Sequence, residues 1–313
     1  MDPIIEQTAT RIFSDHSGDP DALWSALEEN GLTRVWVKEA DGGLEMAPEV
    51  GFHLMRLAGA HALPVPFVET LVSSAILHAA DIVPPSGPIS FLIEGFQRGI
   101  PFGAKVDNIV RVHEGAVTLH RGPLEAEPLI TVGEDPVIDG AVLHEQTVAT
   151  GTGSVQKALA IAALARAAQI CGAIEAVLDL TIEFADQRSQ FGRVLTKFQA
   201  IQHMLSDIAG ETAAANASLD TVLGQCQSFE EIERQIDAVA IAKYSASVAS
   251  GLVAEHAHQI HGAIGYTQEY DLARFTRRLW QWREDFGGET FWATKLGERA
   301  IASGQALWPQ LTA

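Results

Sequence analysis

The strongest constraint on the fold is a pair of long helical patterns joined by a short polar turn. From Ser154 to about Asp186, apolar residues recur with helical periodicity over roughly 50 Å, at about 1.5 Å per residue. The chain then turns through Arg188-Ser-Gln-Phe-Gly192. A second helix is indicated by apolar residues at spacings of three and four, namely Phe198, Ile201, Leu205 and Ile208. Two such helices with a short connection predict antiparallel packing in a helical bundle.

The rest of the C-terminal half continues this bundle. Ser228-Phe-Glu-Glu231 is a capping box, and it predicts a third helix that runs to Gly262. A fourth helix, from about Asp271 to Arg283, is rich in arginine and tryptophan, and a last helix begins near Glu289. We therefore expect five helices in this domain.

The N-terminal part is also helical, up to a change of pattern near residue 84. Asp19-Pro20 supplies an N-cap followed by proline at the first helical position. Beyond residue 84, short β-type runs appear at 89–93, 109–112, 117–120 and 129–132, and they predict a small antiparallel segment. The expected fold is mainly α with a small β-domain. Its predicted parts are an N-terminal helical domain at 1–86, a reduced β-domain at 87–150 and a C-terminal helical bundle at 151–313.

Composition narrows the partners and the compartment. The chain has 313 residues, 47% hydrophobic and 19% charged, which is typical of a soluble globular protein. Its formal net charge of −19 argues against nucleic acid as a partner, because the phosphates would be repelled. No membrane span is expected, since Arg166 and Glu175 interrupt the apolar stretch that begins at residue 158. With no basic n-region and two cysteines interpreted as reduced thiols, we expect a cytoplasmic protein.

The turn between the two long helices carries residues with binding chemistry. Arg188 offers a rigid fork of donors suited to a phosphate, Phe191 a flat apolar face, and Gly192 a backbone free to turn. This combination suggests the pyrophosphate and a ring of a dinucleotide. A second motif, Gln259-Ile-His-Gly-Ala-Ile-Gly-Tyr-Thr-Gln-Glu-Tyr270, closes another long helix. Two antiparallel helices run between the motifs.

Together the motifs resemble the C-terminal domain of the acyl-CoA dehydrogenase family of flavoproteins. The family pattern reads roughly Arg-x-x-Phe-Gly-x-x-(Leu/Ile)-x-x-x-Gln, then Gln-x-x-Gly-Gly-x-Gly-(Tyr/Phe)-x-x-Glu-Tyr. Val37-Lys-Glu39 and Gly42-Gly43 are similar to its N-terminal signature. The resemblance covers residues 1 to about 80 and 151–300. The family's larger β-domain holds the isoalloxazine ring with serine/threonine-rich and Trp-x-x-(Asn/Ser)-Gly segments, which have no counterpart in this sequence.

The resemblance implies FAD as a cofactor that is shared with a partner subunit. In the family, both motifs reach across a dimer interface to the adenosine diphosphate half of the neighbour's FAD. Carried over by position, the implied contacts are Arg188, Gln190, Phe191, Leu195, Phe198, Gln199, Gln259 and Gly262. Ala263 stands where the family has its second glycine. For Phe191, Leu195 and Phe198 taken alone, packing in the bundle core is an alternative role.

The resemblance also indicates where a catalytic base would lie. The family uses a glutamate to take the proton α to the thioester, at one of two positions. Counted along this sequence, those positions are Phe286 and Ala162, and neither residue accepts a proton. Glu284, Asp285 and Glu289 are alternatives that require a shift of register. The resemblance therefore implies no catalytic residue in this chain, with these three acids as weaker candidates.

The predicted partner is consequently a full-length, catalytic acyl-CoA dehydrogenase subunit, in a heterotetramer of the type used in steroid side-chain degradation. The implied substrate is an acyl-CoA, with an electron-transfer flavoprotein as acceptor. A local basic site for the anionic coenzyme is expected from Arg274, Arg277, Arg278 and Arg283. Two alternatives stay open: a self-sufficient homo-oligomeric flavoenzyme with a relocated base, and a non-catalytic scaffold protein.

A metal site is not predicted. Glu255 and His258 have the i, i+3 spacing of di-iron bundles, but such a site needs a second copy of the motif, which the sequence lacks. His256, His258 and His261 also point to different sides of a helix.

Overall fold

The structure, a computed structural model, describes residues 3–16, 18–97, 99–142, 147–267 and 269–304. Its helices are α1 (Pro3–Asp15), α2 (Pro20–Glu29), α3 (Pro48–Ala60), α4 (Phe67–Ala79), α5 (Val155–Gln187), α6 (Gln199–Gln225), α7 (Phe229–Arg234), α8 (Ile236–His261), α9 (Leu272–Trp282) and α10 (Glu289–Ser303). The strands are β1 (Ile89–Ile93), β2 (Gly99–Pro101), β3 (Asn108–His113), β4 (Ala116–Arg121), β5 (Leu129–Ile130), β6 (Pro136–Asp139), β7 (Thr147–Gly151), β8 (Ser189–Gln190) and β9 (Arg193–Val194). The prediction of a mainly α fold with a small β region is confirmed.

The N-terminal helices form where the capping signals predict them. The side chain of Asp19 accepts hydrogen bonds from the backbone N–H groups of Asp21 and Ala22, and Pro20 begins α2. Its carboxylate thereby satisfies donors that have no partner within the helix. Helix α4 is buried along almost its whole length and packs against β1.

The β region consists of two sheets, and its topology differs from the prediction. One sheet has the order β1-β3-β4-β7 and the other has the order β2-β6-β5. Strands β1 and β3 are parallel, so the prediction of a purely antiparallel segment was wrong. Residues 109–112 of β3 pair directly with residues 89–93 of β1. Strand β2 lies between them in sequence but belongs to the other sheet. The sequence pattern also missed β2, β6 and β7, which are short or exposed.

The bundle is built around α5, which packs against α3, α6 and α8. The capping box does form, because Ser228 accepts from the Glu231 N–H and Glu231 accepts from the Ser228 N–H. However, it opens the short helix α7, and α8 begins separately at Ile236. The expectation of one helix from Ser228 to Gly262 was therefore wrong, and the C-terminal region contains six helices among the described residues.

Two segments, Val155–Gln187 and Ile236–Tyr266, are long and apolar enough to cross a membrane by length and composition alone. In the most apolar window of the first, 83% of the residues are buried within the protein, against 56% in the second. Packing against α3, α6 and α8 therefore accounts for the apolar character of α5.

Helices α3 and α5 approach so closely that each requires a glycine at the contact. A methyl group on Gly172 would overlap the carbonyl oxygen of Arg56, and one on Gly59 would overlap the carbonyl oxygen of Gln169. We expect Gly172→Ala to destabilise the protein by about 1–3 kcal/mol, measured by urea unfolding, because the two backbones must separate. The matched control is Gly210→Ala on the exposed face of α6, where no atom lies within 4 Å. This control should stabilise the helix by about 0.5–1 kcal/mol, and equal effects of the two changes would contradict the packing argument.

Candidate functional site

The Arg188 motif forms an exposed hairpin at one end of the bundle. Strands β8 and β9 pair, and the turn between them is made by Phe191 at φ +49° and Gly192 at φ +78°. The Phe191 side chain is 92% exposed. The turn projects from the end of α5 into solvent.

The base of the hairpin is fixed although its tip is exposed. The guanidinium of Arg193 lies 4.1 Å from the ring centroid of Phe198. Thr196 donates a hydrogen bond of 3.2 Å to Asp186 at the end of α5. Leu195 is partly buried and packs against the core. These contacts tie the base of the hairpin to the end of α5 and to the start of α6.

The second motif lies at the same end of the bundle. Helix α8 ends at His261, and Gly262 turns the chain at φ +64°. The His261 ring stacks on Phe184 near the end of α5, with centroids 4.2 Å apart. Nδ1 of His261 lies 2.8 Å from the Ala257 carbonyl oxygen, and Nε2 lies 3.2 Å from the Tyr270 hydroxyl. Burial lowers the pKa of His261, so the ring is neutral, donates to the carbonyl through Nδ1 and accepts through Nε2.

A cavity of about 570 Å³ opens beside this end; it is called here the bundle-end cavity, and it is lined by Gly251, Glu255, His258, Gln259, Gly262, Tyr266, Trp280 and Arg283. The His258 ring lies 4.1 Å from Tyr266 and 5.6 Å from Trp280, both nearly parallel to it. The hydroxyl of Thr276 donates to the Leu272 carbonyl oxygen, so Nε2 of His258 donates to Thr276. Nδ1 of His258 is then a buried acceptor without a partner among the described residues.

A second cavity, of about 450 Å³, lies where the β2-β6-β5 sheet meets the bundle. We call it the sheet–bundle cavity. Its sheet side includes Gly99, Thr131 and Val132, and its bundle side includes Arg166 and Asp285. Phe286 also lines it, at φ +57°, and its ring stacks on Phe91 with centroids 5.5 Å apart.

Buried charges surround this second cavity. Nη2 of Arg166 lies 3.2 Å from Asp285 and 3.6 Å from Glu69. The fully buried ammonium of Lys243 donates to Ser247 at 2.9 Å and to the carbonyl oxygens of Arg283 at 2.9 Å and Gly287 at 3.1 Å. Burial raises the pKa values of Glu69 and Asp285 and lowers that of Lys243 to about 7.

Residues 149–281 match the family profile of the acyl-CoA dehydrogenase C-terminal domain. A protein of Mycolicibacterium smegmatis, the acyl-CoA dehydrogenase IpdE2, is 28% identical over 87% of this chain and 86% of its own length. The chain is similar to acyl-CoA dehydrogenases over most of its length. Members of this family are FAD-dependent oxidoreductases that act on acyl-CoA.

Further similarities extend over nearly the whole chain. IpdE2 of Mycobacterium tuberculosis is 29% identical over 83% of this chain and 81% of its own length. A solved structure of the Tcur3481-Tcur3483 steroid ACAD G363A variant has a TM-score of 0.83 at 22% identity and covers 96% of this chain and 97% of that chain. The ChsE4-ChsE5 complex from Mycobacterium tuberculosis has a TM-score of 0.79 at 20% identity, covering 98% and 99%. At these identities the solved structures show the shared acyl-CoA dehydrogenase fold.

The residues predicted to contact FAD gather at the bundle end. The side chains of Arg188, Gln190, Gln199 and Gln259 are exposed and make no hydrogen bond or ion pair with any residue that the structure describes. Ala263 is exposed as well, directly after Gly262. A guanidinium, three amides and an open aromatic face fit an adenosine diphosphate moiety, which needs phosphate donors and a stacking surface. Among the predicted set, Leu195 is partly engaged in the core.

The two family base positions hold buried apolar side chains. Phe286 is 3% exposed and Ala162 is fully buried. Of the three acidic alternatives, Glu284 is 66% exposed and Glu289 pairs with Arg283 at 3.0 Å. Only Asp285 among these three pairs with a buried arginine while lining the sheet–bundle cavity.

The predicted basic site for coenzyme A does not form in this structure. Arg274 donates to the carbonyl oxygens of His61 and Ala62, while Arg277 and Arg278 pair with Glu134 and Asp135. Arg283 pairs with Glu284 and Glu289. All four guanidinium groups are thus engaged within the chain, so the clustering of arginines in the sequence was a misleading signal.

Three residues of the sheet–bundle cavity region escaped the sequence analysis. Arg166 and Lys243 lie inside long apolar runs of the sequence. Because a charge in a buried helix needs a partner, this position could have indicated that each of them has one. Glu69 lies in the apolar helix α4 with the same signal. Their mutual proximity depends on α4, α5 and α8 packing together, which no local pattern reveals.

Proposed function

We propose that this chain is one subunit of a heteromeric FAD-dependent acyl-CoA dehydrogenase. It donates the bundle-end residues to the adenosine diphosphate half of FAD bound mainly by a different, catalytic subunit. That subunit supplies the glutamate that takes the α proton. The substrate class is an acyl-CoA thioester with a bulky polycyclic acyl group, as in steroid side-chain degradation, and an electron-transfer flavoprotein is the electron acceptor.

One observation carries this proposal. The bundle end has a guanidinium and three amides without partners among the described residues, and a 92% exposed phenylalanine, whereas both family base positions are apolar. Exposed groups of this kind, gathered at the bundle end on the hairpin, α6 and α8, suit a ligand that another chain brings. A subunit that only donates to its neighbour needs no base of its own.

The similar proteins support the same assignment. Two solved structures with this fold are described by paired names, Tcur3481-Tcur3483 and ChsE4-ChsE5, and the first is described as a steroid ACAD. Relatives that match over most of the chain carry the name IpdE2. Paired chains with this fold make a second, different subunit the natural partner here.

The contribution of each residue follows from its chemistry. When bound, FAD accepts the hydride that leaves the β carbon of the acyl group. Arg188 neutralises phosphate charge with a bidentate fork, and Gln190, Gln199 and Gln259 supply donors and acceptors beside it. Phe191 covers an aromatic face and excludes water from it. These residues bind and orient; none of them transfers a proton.

The decisive experiment is co-expression of this chain with a full-length acyl-CoA dehydrogenase chain encoded beside it. We expect a complex with equal amounts of both chains, a flavin absorption spectrum, and acyl-CoA oxidation. The chain purified alone is expected to be colourless. A lone chain that holds stoichiometric FAD and oxidises an acyl-CoA would instead establish a self-sufficient enzyme. A chain that acquires FAD under neither condition would indicate a scaffold protein.

Arg188→Ala is expected to weaken FAD retention by the complex about 10- to 100-fold, because a hydrogen bond to a charged group contributes about 1.5–3 kcal/mol. Released FAD is measured by fluorescence after dilution. FAD retention by the Arg188→Lys complex should lie between that of the wild type and that of Arg188→Ala, since a lysine keeps the charge and loses the bidentate fork. Arg11→Ala, on the exposed face of α1, is the control and should retain FAD like the wild type. Unchanged retention in Arg188→Ala would remove the proposed contact.

A further inference from the structure

A buried histidine joins the two motifs at the bundle end. His261 is the last residue of α8, two positions after Gln259, and is 5% exposed. Its ring stacks on Phe184, with centroids 4.2 Å apart and an angle of 25° between the planes. The Phe184 carbonyl oxygen in turn accepts a hydrogen bond of 2.9 Å from the Arg188 N–H. The His261 ring is therefore a direct contact between the last turn of α5, which leads into Arg188, and the last turn of α8, which carries Gln259.

The orientation of this ring is fixed by hydrogen bonds at both of its nitrogens. Nδ1 donates to the Ala257 carbonyl oxygen over 2.8 Å, so Nε2 accepts from the Tyr270 hydroxyl over 3.2 Å. The Tyr270 ring also packs against His261, with centroids 5.1 Å apart, and meets Phe184 edge-on at 6.1 Å. Rotation of the imidazole would leave a buried ring nitrogen without its partner, which is unfavourable. The three rings of Phe184, His261 and Tyr270 thus form one packed unit, called here the His261 cluster.

A glycine closes another side of the cluster. A methyl group on Gly265 would lie 3.0 Å from Cβ of His261 and 2.9 Å from Cδ2 of Leu272. Both distances are shorter than an ordinary van der Waals contact between carbon atoms, so the main chain at Gly265 packs directly against the cluster. His261 is thereby confined by α5, by Tyr270 and by the turn that follows α8.

The separation of the two motifs matters because a pyrophosphate has a fixed size. A donor on α8 and a guanidinium on the hairpin can bind one pyrophosphate together only when they are held at the matching separation. The side chains of Arg188 and Gln259 are exposed, so their separation is set by the backbone positions beneath them. The His261 cluster lies between those backbone positions.

We propose that His261 is a positioning residue for FAD: it sets the separation between Arg188 and Gln259. Its ring does so through the stack on Phe184 and the hydrogen bond from Tyr270. This assignment rests on the proposed function for the identity of the ligand, whereas the position of the hairpin relative to α8 is a property of the chain alone. His261 is buried and acts through the two exposed side chains.

FAD retention by the co-expressed complex gives the first measurement. His261→Ala is expected to lower retention about 10-fold, because displaced donors lose much of a charge-assisted hydrogen bond. His261→Phe keeps a stacked ring and should recover part of this loss. In an Arg188→Ala background, His261→Ala should cost less than about 3-fold, since one of the groups that it positions is already absent. Equal fold-losses in the two backgrounds would show a general weakening of the bundle and would overturn the assignment.

Amide hydrogen exchange of the chain alone gives the second measurement, without partner or FAD. The N–H groups of Arg188 and Leu195 donate to the carbonyl oxygens of Phe184 and Arg188, at 2.9 and 2.8 Å, and so report on the base of the hairpin. Tyr270→Phe removes only the hydroxyl. It is expected to speed exchange at both amides about 3- to 10-fold, the factor for one ordinary hydrogen bond. Exchange in α3 should not change.

Tyr244→Phe is the matched control, because Tyr244 also lies in the C-terminal bundle, on α8, and is 39% exposed. It should leave both amides and FAD retention unchanged. Tyr270→Phe keeps the test decisive should His261→Ala fail to fold. Wild-type FAD retention in His261→Ala, or unchanged exchange in a folded Tyr270→Phe, would overturn the assignment. A wild-type complex that holds no FAD would instead refute the proposed function, and the exchange measurement would still decide whether the His261 cluster positions the hairpin.

Discussion

Arg166→Met is expected to lower the free energy of unfolding by about 3–5 kcal/mol at pH 8, the loss typical of a broken buried ion pair. Arg166 and Glu69 are almost fully buried, at 6% and 7% side-chain exposure, and Asp285 shares the same guanidinium. Methionine matches the volume of the side chain and removes its charge. Two carboxyl groups then lose their only cationic neighbour at ion-pair distance among the described residues. Urea unfolding monitored by circular dichroism gives the value.

The pH dependence identifies the cause of that loss. A buried carboxylate without a partner can take up a proton, and burial already raises the pKa values of Glu69 and Asp285. The destabilisation by Arg166→Met should therefore shrink as the pH falls from 8 towards 5, since protonated carboxyl groups need no cation. The triple variant Arg166→Met, Glu69→Gln, Asp285→Asn should recover most of the stability. A loss below 1 kcal/mol, or one independent of pH, would show that packing alone is involved.

The second large effect is expected at Lys243, as a stability difference that depends on pH. Burial lowers the pKa of Lys243 from the ordinary value of 10.5 to about 7. Between these values the unfolded chain binds a proton that the folded chain does not, so the free energy of unfolding rises with pH over this window. The stability that the neutral Lys243 allows is fully present above 10.5, the ordinary pKa. It is lost progressively as the pH falls from there to the folded-state pKa of about 7.

Lys243→Met removes this dependence. One pKa unit corresponds to about 1.4 kcal/mol, so the stability gap between wild type and variant should change by several kcal/mol between pH 6 and pH 10. The variant should be clearly less stable at pH 10, where the carbonyl oxygens of Arg283 and Gly287 lose their donor. Lys38→Met, at an exposed position, is the control. Parallel curves for wild type and Lys243→Met would contradict the lowered pKa.

Much of the helical architecture could be predicted from local signals. Pro20 and the periodic apolar residues predict the start of α2, both ends of α5 and the first part of α6 close to where the structure has them. The two motifs at Arg188 and Gln259 could be placed at one end of the bundle, because two antiparallel helices return the chain to that end. Local chemistry and helix length were enough for this part.

The sheet topology and the buried charge cluster required the tertiary structure. The parallel pairing of β1 with β3 depends on β2 leaving the first sheet, and a three-residue strand gives almost no periodic signal. The engagement of Arg274, Arg277, Arg278 and Arg283 depends on partners far away in sequence. A cluster of arginines in the sequence shows only that the charges are close along the chain. Whether they can bind a ligand depends on the partners that the fold places beside them.

The exposed hairpin tip also bears on how such a protein is made in the cell. Phe191 lies at the hairpin tip with its ring in water and its backbone in the left-handed region, and both features are unfavourable. Its exposed ring can associate with other exposed apolar surfaces. In the proposed complex the partner covers this ring, so balanced synthesis of the two subunits would protect the unassembled chain from aggregation.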